Sequence, residues 1–268
     1  MPELPEVETI ANQLRKHYEG RQIIEVVAWP ARIYKNVNPT EFQETVSGKK
    51  LENISRYGKF MIWKAEDVYP VFHLGMSGIF IGDRNKSHYP QHIHISFTFE
   101  NGKELFFQDV RKFSKVWLYK QYPKFTDVGE DVLSEKFALN KFKKLLNLRS
   151  ISIKNLLMDQ TMMAGIGNIY ASEILFDARI HPDRKSSELN NAEIHRMYRS
   201  VKKILTQAID RFGTTYTAYL TVEGTPGENQ NFLRVYQRDG QECVNCQTLI
   251  KKYTLNSRST FYCPKCQK

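Results

Sequence analysis

The spacing of apolar residues divides the chain into a short helix, a region of strands and a region of helices. Val7, Ile10 and Leu14 recur at helical spacing after Pro5, which predicts an amphipathic helix over residues 5–17. From about residue 22 to 119 the apolar period is that of strands. Further along the chain the period is helical again, and it predicts four helices, at about 137–146, 153–158, 168–177 and 191–212.

The clearest strand pattern lies near the middle of the strand region. Apolar residues alternate with polar ones from His92 to Phe99, and Asn101-Gly102 follows before a second apolar stretch at Leu105–Phe107. Asn-Gly between two such stretches is a strong signal for a tight hairpin. This half of the chain therefore predicts a half-buried antiparallel sheet or a β-sandwich.

Breaks in periodicity suggest where the domains end. Residues 121–131 contain Pro123, Asp127 and Gly129 without a regular period, and residues 213–232 form another aperiodic stretch that we expect to be a long exposed loop. The last thirty residues form a small separate unit. We therefore predict three domains: residues 1–125, residues 131–232 and residues 233–268.

Charge and hydropathy narrow the class of protein. The 268 residues carry a net charge of +10, and the mean hydropathy of −0.50 with no long apolar run argues against a membrane protein. Acidic residues at positions 3, 6 and 8 do not suit a secretory signal, so we expect a cytoplasmic protein. The basic excess is spread along the chain in short pairs, which suits contact with a nucleic acid and equally suits a merely basic protein.

All four cysteines lie near the end of the chain, as Cys243-x2-Cys246 and Cys263-x2-Cys266 separated by sixteen residues. This spacing is typical of a tetrahedral zinc site, and four thiolates leave no open position for catalysis. Disulfides are the alternative, but they need an oxidising compartment. We expect one structural zinc ion on a β-hairpin. Its basic residues, at positions 251, 252 and 258, either contact a nucleic acid or form a solvated charged face.

Five segments stand out in order along the chain: Met1–Thr9, Tyr57–Lys59, His73–Gly78, Asp159–Glu173 and Arg258–Gln267. In this order they resemble signatures of the formamidopyrimidine-DNA glycosylase family, bacterial enzymes that excise oxidised purines. The fourth segment is similar to the family's helix–two-turn–helix motif, and the fifth is similar to its zinc-finger end. Leu4, where the endonuclease VIII branch usually has glycine, favours the formamidopyrimidine branch.

The resemblance implies an α+β fold. An N-terminal β-sandwich with flanking helices would be followed by a helical helix–two-turn–helix domain and a zinc-finger β-hairpin. It also implies a bifunctional DNA glycosylase and AP lyase of base-excision repair. The expected partner is double-stranded DNA with a damaged base or abasic site, bound by a monomer. Two alternatives stay open: the same chemistry on oxidised pyrimidines or another lesion, and a catalytically silent protein that binds damaged DNA.

By the same resemblance the catalytic residues are Pro2, Glu3, Glu6 and Lys59. Removal of Met1 would expose the secondary amine of Pro2, and an α-amino group has a pKa of about 7.7–8.0, so a useful fraction is nucleophilic near neutral pH. Glu3 would move protons, and Glu6 resembles the family's second acidic residue. The alternative is that both carboxylates only stabilise the helix, as negative charges in its first turn. Lys59 would bind a phosphate close to the lesion.

The resemblance also implies a set of DNA-binding residues. Phosphate ligands would come from several elements, although a lone histidine is often structural and an asparagine at a helix start is often only a cap. Three further side chains would fill the space left by an extruded base, where core packing is the alternative. The phosphate ligands are His73, Lys154, Asn168 and Arg258, the space-filling residues are Met76, Arg111 and Phe113, and Tyr236 is expected to contact DNA as well.

Four departures from the family pattern bear mainly on the substrate. The family usually has glycine after Phe113, before Arg258 and after Tyr236. The stretch expected to close over the extruded base also differs from the sequence that enzymes acting on oxidised guanine usually have there. The residues concerned are Ser114, Ser257, Gln237 and the segment Thr214–Phe232.

Overall fold

A computed structural model describes residues 1–268 and divides the chain into two compact units. The first unit comprises Met1–Lys124 together with Ile209–Gln230, and the second comprises Phe125–Ala208 together with Asn231–Lys268. The division into three domains, residues 1–125, 131–232 and 233–268, stays a prediction. No helix combines the length and the apolar composition needed to cross a membrane.

The first unit is a β-sandwich of two four-stranded antiparallel sheets. One sheet has the order β1-β6-β7-β5, and the other has the order β2-β3-β4-β8. In chain order the strands are β1 (Ile23–Ala28), β2 (Leu51–Tyr57), β3 (Phe60–Ala65), β4 (Tyr69–His73), β5 (Gly78–Ile81), β6 (Ile93–Phe99), β7 (Glu104–Asp109) and β8 (Lys115–Tyr119).

Aromatic side chains from both sheets fill the space between them. The Trp63 ring lies 5.0 Å from Phe97 and 5.6 Å from Phe80, and Phe72 lies 5.5 Å from Phe107, measured between ring centroids. All five side chains are fully buried. Aromatic groups bury a large area each and stabilise one another in tilted and edge-on pairs. The predicted sandwich is therefore confirmed, and the hairpin at Asn101-Gly102 joins β6 to β7 as expected.

Two helices flank the sandwich. Helix α1 (Leu4–Tyr18) buries Val7, Ile10 and Leu14, as the sequence predicted. Helix α2 (Pro39–Val46) was not predicted; it buries Phe42 and Val46 in the same core. Asn38 caps α2 by accepting a hydrogen bond from the Glu41 amide, and Pro39 opens its first turn, which are ordinary start signals for a helix.

Residues 213–232 were expected to be exposed, and this expectation is wrong for much of the stretch. Thr214, Tyr219, Val222 and Asn229 are buried. The Val222 amide donates to Gln13 Oε1 at 2.9 Å, and the Gly82 amide donates to the Val222 carbonyl at 2.9 Å. The stretch lacks a period because isolated backbone and side-chain hydrogen bonds, not an α-helix or a strand ladder, hold it.

The second unit contains the predicted helices and the hairpin. The helices are α3 (Leu139–Leu148), α4 (Ile153–Met158), α5 (Asn168–Ala178) and α6 (Asn191–Asp210), of which the last ends in the first unit. Short strands β9 (Glu130–Asp131) and β10 (Met163–Ala164) pair in parallel, and β11 (Lys251–Leu255) pairs with β12 (Arg258–Tyr262) as an antiparallel hairpin. The fold class inferred from the sequence is confirmed.

Candidate functional site

The start of α1 gathers three of the predicted catalytic residues. Pro2 is buried, and Glu3 and Glu6 are only 3% and 1% exposed. Glu3 is the residue before the helix, and its backbone amide donates to Glu6 Oε2 at 2.8 Å, as in a capping box. The helix start thus holds two carboxyl groups beside the second residue of the chain. Burial at this level is unusual for glutamates that only serve the helix dipole.

Glu6 also joins this helix start to the segment near residue 214. Its Oε1 accepts a hydrogen bond from the Thr214 amide at 2.8 Å. Gly213 has a φ of +76°, and a Cβ there would lie 3.0 Å from Glu6 Cγ, so glycine suits both the backbone and the close approach. Glu6 therefore connects two regions that are more than two hundred residues apart in the chain.

Lys59 lies in the turn between β2 and β3, where Gly58 has a φ of 57°. The lysine is only 5% exposed. His73, at the end of β4, accepts a hydrogen bond on Nδ1 from the Gly75 amide at 3.2 Å. Burial, followed by the charges of Lys59 and Lys115, lowers the pKa of His73 to about 4. His73 is therefore neutral near pH 7 and can serve as a hydrogen-bond donor there, but not as a cation.

The three predicted space-filling residues lie on two neighbouring loops. Met76 is 40% exposed on the loop before β5, and Phe113 is 52% exposed on the loop after β7. The guanidinium carbon of Arg111 lies 4.8 Å from the centre of the Phe113 ring, a cation–π distance. The core-packing alternative for Met76 and Phe113 is therefore wrong, because neither side chain is buried.

A cavity of about 470 Å³ lies beside these loops in the first unit. The residues that line it include Ile79 and Ile81 of β5 and Thr217, Ala218 and Leu220 of the segment after α6. The remaining lining includes Ser77, Tyr89, Gln108 and Arg111. A mainly apolar chamber with a few polar groups is the usual form of a small-ligand site.

In the second unit, the beginning of β12 and the starts of α4 and α5 meet. Lys154, 1% exposed on α4, donates from Nζ to Thr260 Oγ1 at 2.7 Å and to the Ser259 carbonyl at 3.0 Å. Asn168, at the start of α5, donates from Nδ2 to the same carbonyl at 3.0 Å. Arg258, next to Ser259, is exposed. The structure thus brings together three of the four predicted phosphate ligands.

Two residues that the sequence analysis did not single out shape this region. Gln160 donates to the carbonyls of Met158 and Ile166 and accepts from the Gly165 amide, so it orders the turn before α5. Glu173 on α5 accepts the amides of Arg234, Val235 and Tyr236 at 2.9–3.0 Å. Burial raises the pKa of Glu173. The amide partners of Glu173 lie 61 to 63 residues further along the chain, so no local sequence signal connects them.

The four cysteines fit a zinc ion. Their Sγ atoms all lie within 4.8 Å of one another, and individual separations are 3.4 Å, 3.5 Å and 3.9 Å. A tetrahedron with Zn–S bonds of about 2.3 Å has edges of about 3.8 Å, whereas a disulfide has an S–S distance of about 2.05 Å. The prediction of a zinc site is confirmed, and Cys243, Cys246, Cys263 and Cys266 are its ligands.

Three family models cover most of the chain. Residues 1–116 match the N-terminal domain of formamidopyrimidine-DNA glycosylase, and residues 128–219 match its H2TH domain. Residues 240–268 match the zinc finger found in FPG and IleRS.

Full-length relatives agree with these matches. The formamidopyrimidine-DNA glycosylases of Pelotomaculum thermopropionicum and Listeria monocytogenes are each 36% identical to this chain over 274 residues. The alignments cover all of this chain, 99% of the first relative and 100% of the second.

Solved structures are similar over nearly the whole chain. MutM (Fpg) from Thermus thermophilus has a TM-score of 0.87 at 33% identity, covering 99% of this chain and 98% of that one. Lactococcus lactis Fpg in complex with abasic-site DNA has a TM-score of 0.89 at 32% identity, covering 99% of each chain. A mutant of that Fpg in complex with Fapy-dG DNA reaches 0.91 at 33% identity, covering 100% of each.

Proposed function

The chain belongs to the formamidopyrimidine-DNA glycosylase family of base-excision-repair enzymes, and from this premise we propose that it releases oxidised or ring-opened purines and then cleaves the abasic site. The proposed substrates are 8-oxoguanine and formamidopyrimidines in double-stranded DNA. The burial of Pro2, Glu3 and Glu6 together at the start of α1 is the observation that carries the proposal. We infer that the enzyme acts as a monomer in the cytoplasm.

The proposed nucleophile is the secondary amine of Pro2 after Met1 has been removed. The amine attacks C1′ of the damaged nucleotide, the C1′–N bond breaks, and the base leaves with that electron pair. The nitrogen then loses its proton, the C1′–O4′ bond breaks with its electron pair going to the ring oxygen, and an iminium forms between Pro2 and C1′ of the opened sugar. The cationic nitrogen acidifies C2′. Loss of a C2′ proton breaks the C3′–O bond, and in a second elimination loss of the C4′ proton breaks the C5′–O bond. Each phosphate departs with its bonding electron pair.

Glu3 is proposed to move the protons in this sequence. Its carboxyl group would protonate the sugar ring oxygen as the amine attacks, and its carboxylate would afterwards accept a proton during elimination. The hydrogen bond from the Glu3 amide to Glu6 fixes the backbone at this point. Glu6 in turn holds the Thr214 amide, and so it would couple the nucleophile to the segment expected to close over the base.

Phosphate contacts are proposed on both units. In the first unit, Lys59 supplies a compact positive charge and neutral His73 supplies a donor. In the second unit, Asn168 and Lys154 both donate to the Ser259 carbonyl, and Arg258 is the residue before Ser259. Asn168 opens α5, where backbone amides favour an anion. Tyr236, held by Glu173, is proposed as a further DNA contact.

Met76, Arg111 and Phe113 are proposed to occupy the space that the extruded base leaves. Base extrusion costs a few kcal/mol of lost stacking and pairing, and side chains inserted into the gap offset part of that cost. The exposure of Met76 and Phe113 supports this role, since exposed apolar side chains gain most when a partner covers them. The arginine can also hydrogen-bond the edge of the orphaned base.

Borohydride trapping on a duplex with an abasic site tests the nucleophile. Reduction of the iminium leaves a stable covalent adduct between the protein and DNA. We expect an adduct from protein that begins at Pro2 and none from matched protein that retains Met1, whose amine is one residue away. Absence of an adduct from the trimmed protein would overturn the Pro2 mechanism.

A panel of lesion duplexes tests the substrate. We expect release of 8-oxoguanine and formamidopyrimidines in preference to oxidised pyrimidines at equal enzyme concentration. Release of oxidised pyrimidines alone would show that the altered segment 214–232 has changed the lesion class. Damage-specific binding with no base release and no adduct would identify a silent binding protein.

A further inference from the structure

Asp109, at the end of β7, is a fully buried carboxylate that hydrogen-bonds two loops at once. Its Oδ1 accepts from the Ser77 hydroxyl at 2.5 Å and from the Arg111 amide at 3.2 Å. Its Oδ2 accepts from both the amide and the hydroxyl of Ser114, each at 2.7 Å. Ser77 belongs to the loop that carries Met76, whereas Arg111 and Ser114 belong to the loop that carries Phe113.

The backbones of these loops are also in direct contact. A Cβ on Gly75 would lie 2.5 Å from the carbonyl carbon and oxygen of Phe113 and 2.6 Å from the Ser114 amide nitrogen. Gly75 has a φ of 60°, and Lys112 has a φ of 55°. The approach therefore leaves no room for a side chain at Gly75. Both loops are fixed on their buried side while the side chains of Met76 and Phe113 point outward.

A buried carboxylate is tolerable only when its oxygens are well hydrogen-bonded, so removing a single donor is costly. Here all four donors are uncharged groups of the two loops themselves. The carboxylate is satisfied only when both loops adopt this arrangement. Ser114 stands where the family usually has glycine, and its hydroxyl supplies one of the four donors.

From this geometry we infer that Asp109 and Ser114 are positioning residues that preorganise Met76, Arg111 and Phe113 for insertion into damaged DNA. The inference rests on the proposed function, since it concerns how those three side chains are presented. Side chains held in place before binding lose less conformational freedom when they insert. Ser114 strengthens a link that glycine would leave with one donor fewer.

The test compares two duplexes that differ only opposite the abasic site. One has cytosine there and the other has tetrahydrofuran, so the second has no orphaned base to support. Adduct formation and DNA affinity are measured for wild type, Ser114→Ala and Asp109→Asn. Asparagine keeps the shape of aspartate but turns an amide group toward donors of the loops. Ser47→Ala is the matched control, because Ser47 Oγ accepts one amide, from Val26 at 2.9 Å, away from the two loops.

We expect Ser114→Ala to slow trapping opposite cytosine by roughly two- to tenfold and Asp109→Asn to slow it further, as for loss of buried hydrogen bonds. Opposite tetrahydrofuran both variants should stay within about twofold of wild type, and Ser47→Ala should leave the ratio of the two rates unchanged. Equal losses on both duplexes would reduce Asp109 and Ser114 to structural residues and overturn the inference. If Asp109→Asn does not fold, Ser77→Ala takes its place.

If the proposed glycosylase and lyase function itself is wrong, the experiment gives a different result from failure of the inference about Asp109 and Ser114. If wild type forms no adduct on either duplex, the Pro2 mechanism is wrong, and the affinities alone then decide the inference. A selective loss of affinity for the cytosine duplex in Ser114→Ala would still support loop positioning. Unchanged affinity for both duplexes would overturn it.

Discussion

At the scale of single residues, two of the three side chains that replace the family's usual glycines stand where the backbone favours glycine. Gln237 has a φ of 57° directly after Tyr236, and Ser257 has a φ of 60° directly before Arg258. A residue with a Cβ in this left-handed region costs roughly 1–2 kcal/mol. Two of the departures from the family's glycines thus place strain next to proposed DNA contacts. The third, Ser114, has no positive φ and instead adds a hydrogen bond.

Replacing Gln237 with glycine should therefore stabilise the protein. We expect Gln237→Gly to raise the free energy of unfolding by about 0.5–1 kcal/mol, since relief of strain exceeds the entropy that glycine adds to the unfolded chain. Urea denaturation of the zinc-bound protein measures the change. Gln241, outside the left-handed region, is the control, and Gln241→Gly should be destabilising. Equal destabilisation by both variants would contradict the strain argument.

At the scale of elements, the segment after α6 closes on itself through a glycine. A Cβ on Gly227 would lie 2.3 Å from the Gly213 carbonyl oxygen and 2.5 Å from that of Phe212. The Gly227 amide also donates to Thr215 Oγ1 at 2.8 Å. Both obstacles are backbone atoms, so no side-chain rotation makes room for a methyl group. The two ends of the segment can approach this closely only because residue 227 is glycine.

Gly227→Ala should displace this segment and slow base release by roughly tenfold to a hundredfold, as for a misplacement of about 1 Å near the chemistry. Cleavage of a preformed abasic site, which has no base to enclose, should change much less. Rates on lesion and abasic duplexes measure the two effects. Gly102→Ala is the control, since its φ is +74° but nothing lies within 4 Å of its Cβ position. Equal slowing of both reactions would argue against a role in enclosing the base.

Removal of zinc should unfold the hairpin and leave the first unit intact. Four-cysteine zinc sites supply folding free energy directly, and β11 and β12 have only a small apolar cluster beside them. The three tryptophans, at positions 29, 63 and 117, all lie in the first unit. After chelation we expect loss of DNA affinity with unchanged tryptophan emission, and recovery when zinc is restored. A red shift of the emission would show that the first unit depends on the metal.

Periodicity predicted the elements whose apolar faces are long, such as α6 and β6, within a few residues of their observed ends. It missed α2, which is eight residues long and buries only Phe42 and Val46, although Asn38-Pro39 was a readable start signal. Periodicity could not predict hydrogen bonds between residues that are far apart in the chain. Glu173 and its amide partners are 61 to 63 residues apart, and no spacing rule connects positions so distant.

At the scale of the whole molecule, the net charge of +10 favours binding to a polyanion. Each phosphate contact by a cation releases counterions into solution. The logarithm of the affinity therefore falls linearly with the logarithm of the salt concentration, and the slope is proportional to the number of contacts. We expect Arg258→Ala to reduce the slope of log affinity against log salt by about 1 on any sequence. Lys136→Ala, an exposed charge on the same unit with no proposed contact, should leave the slope unchanged. An unaltered slope in Arg258→Ala would remove this arginine from the phosphate contacts.

The hydrogen bonds from Thr214 to Glu6 and from Val222 to Gln13 have a consequence for biosynthesis. The ribosome makes the beginning of the first unit early, but the residues that complete it follow about two hundred positions later. At roughly 5–20 residues per second that interval lasts on the order of 10–40 s. During it, the surroundings of Glu6 remain unfinished while most of the second unit is being synthesised. A nascent chain thus completes the surroundings of Glu6 only after helices α4 and α5 have been translated.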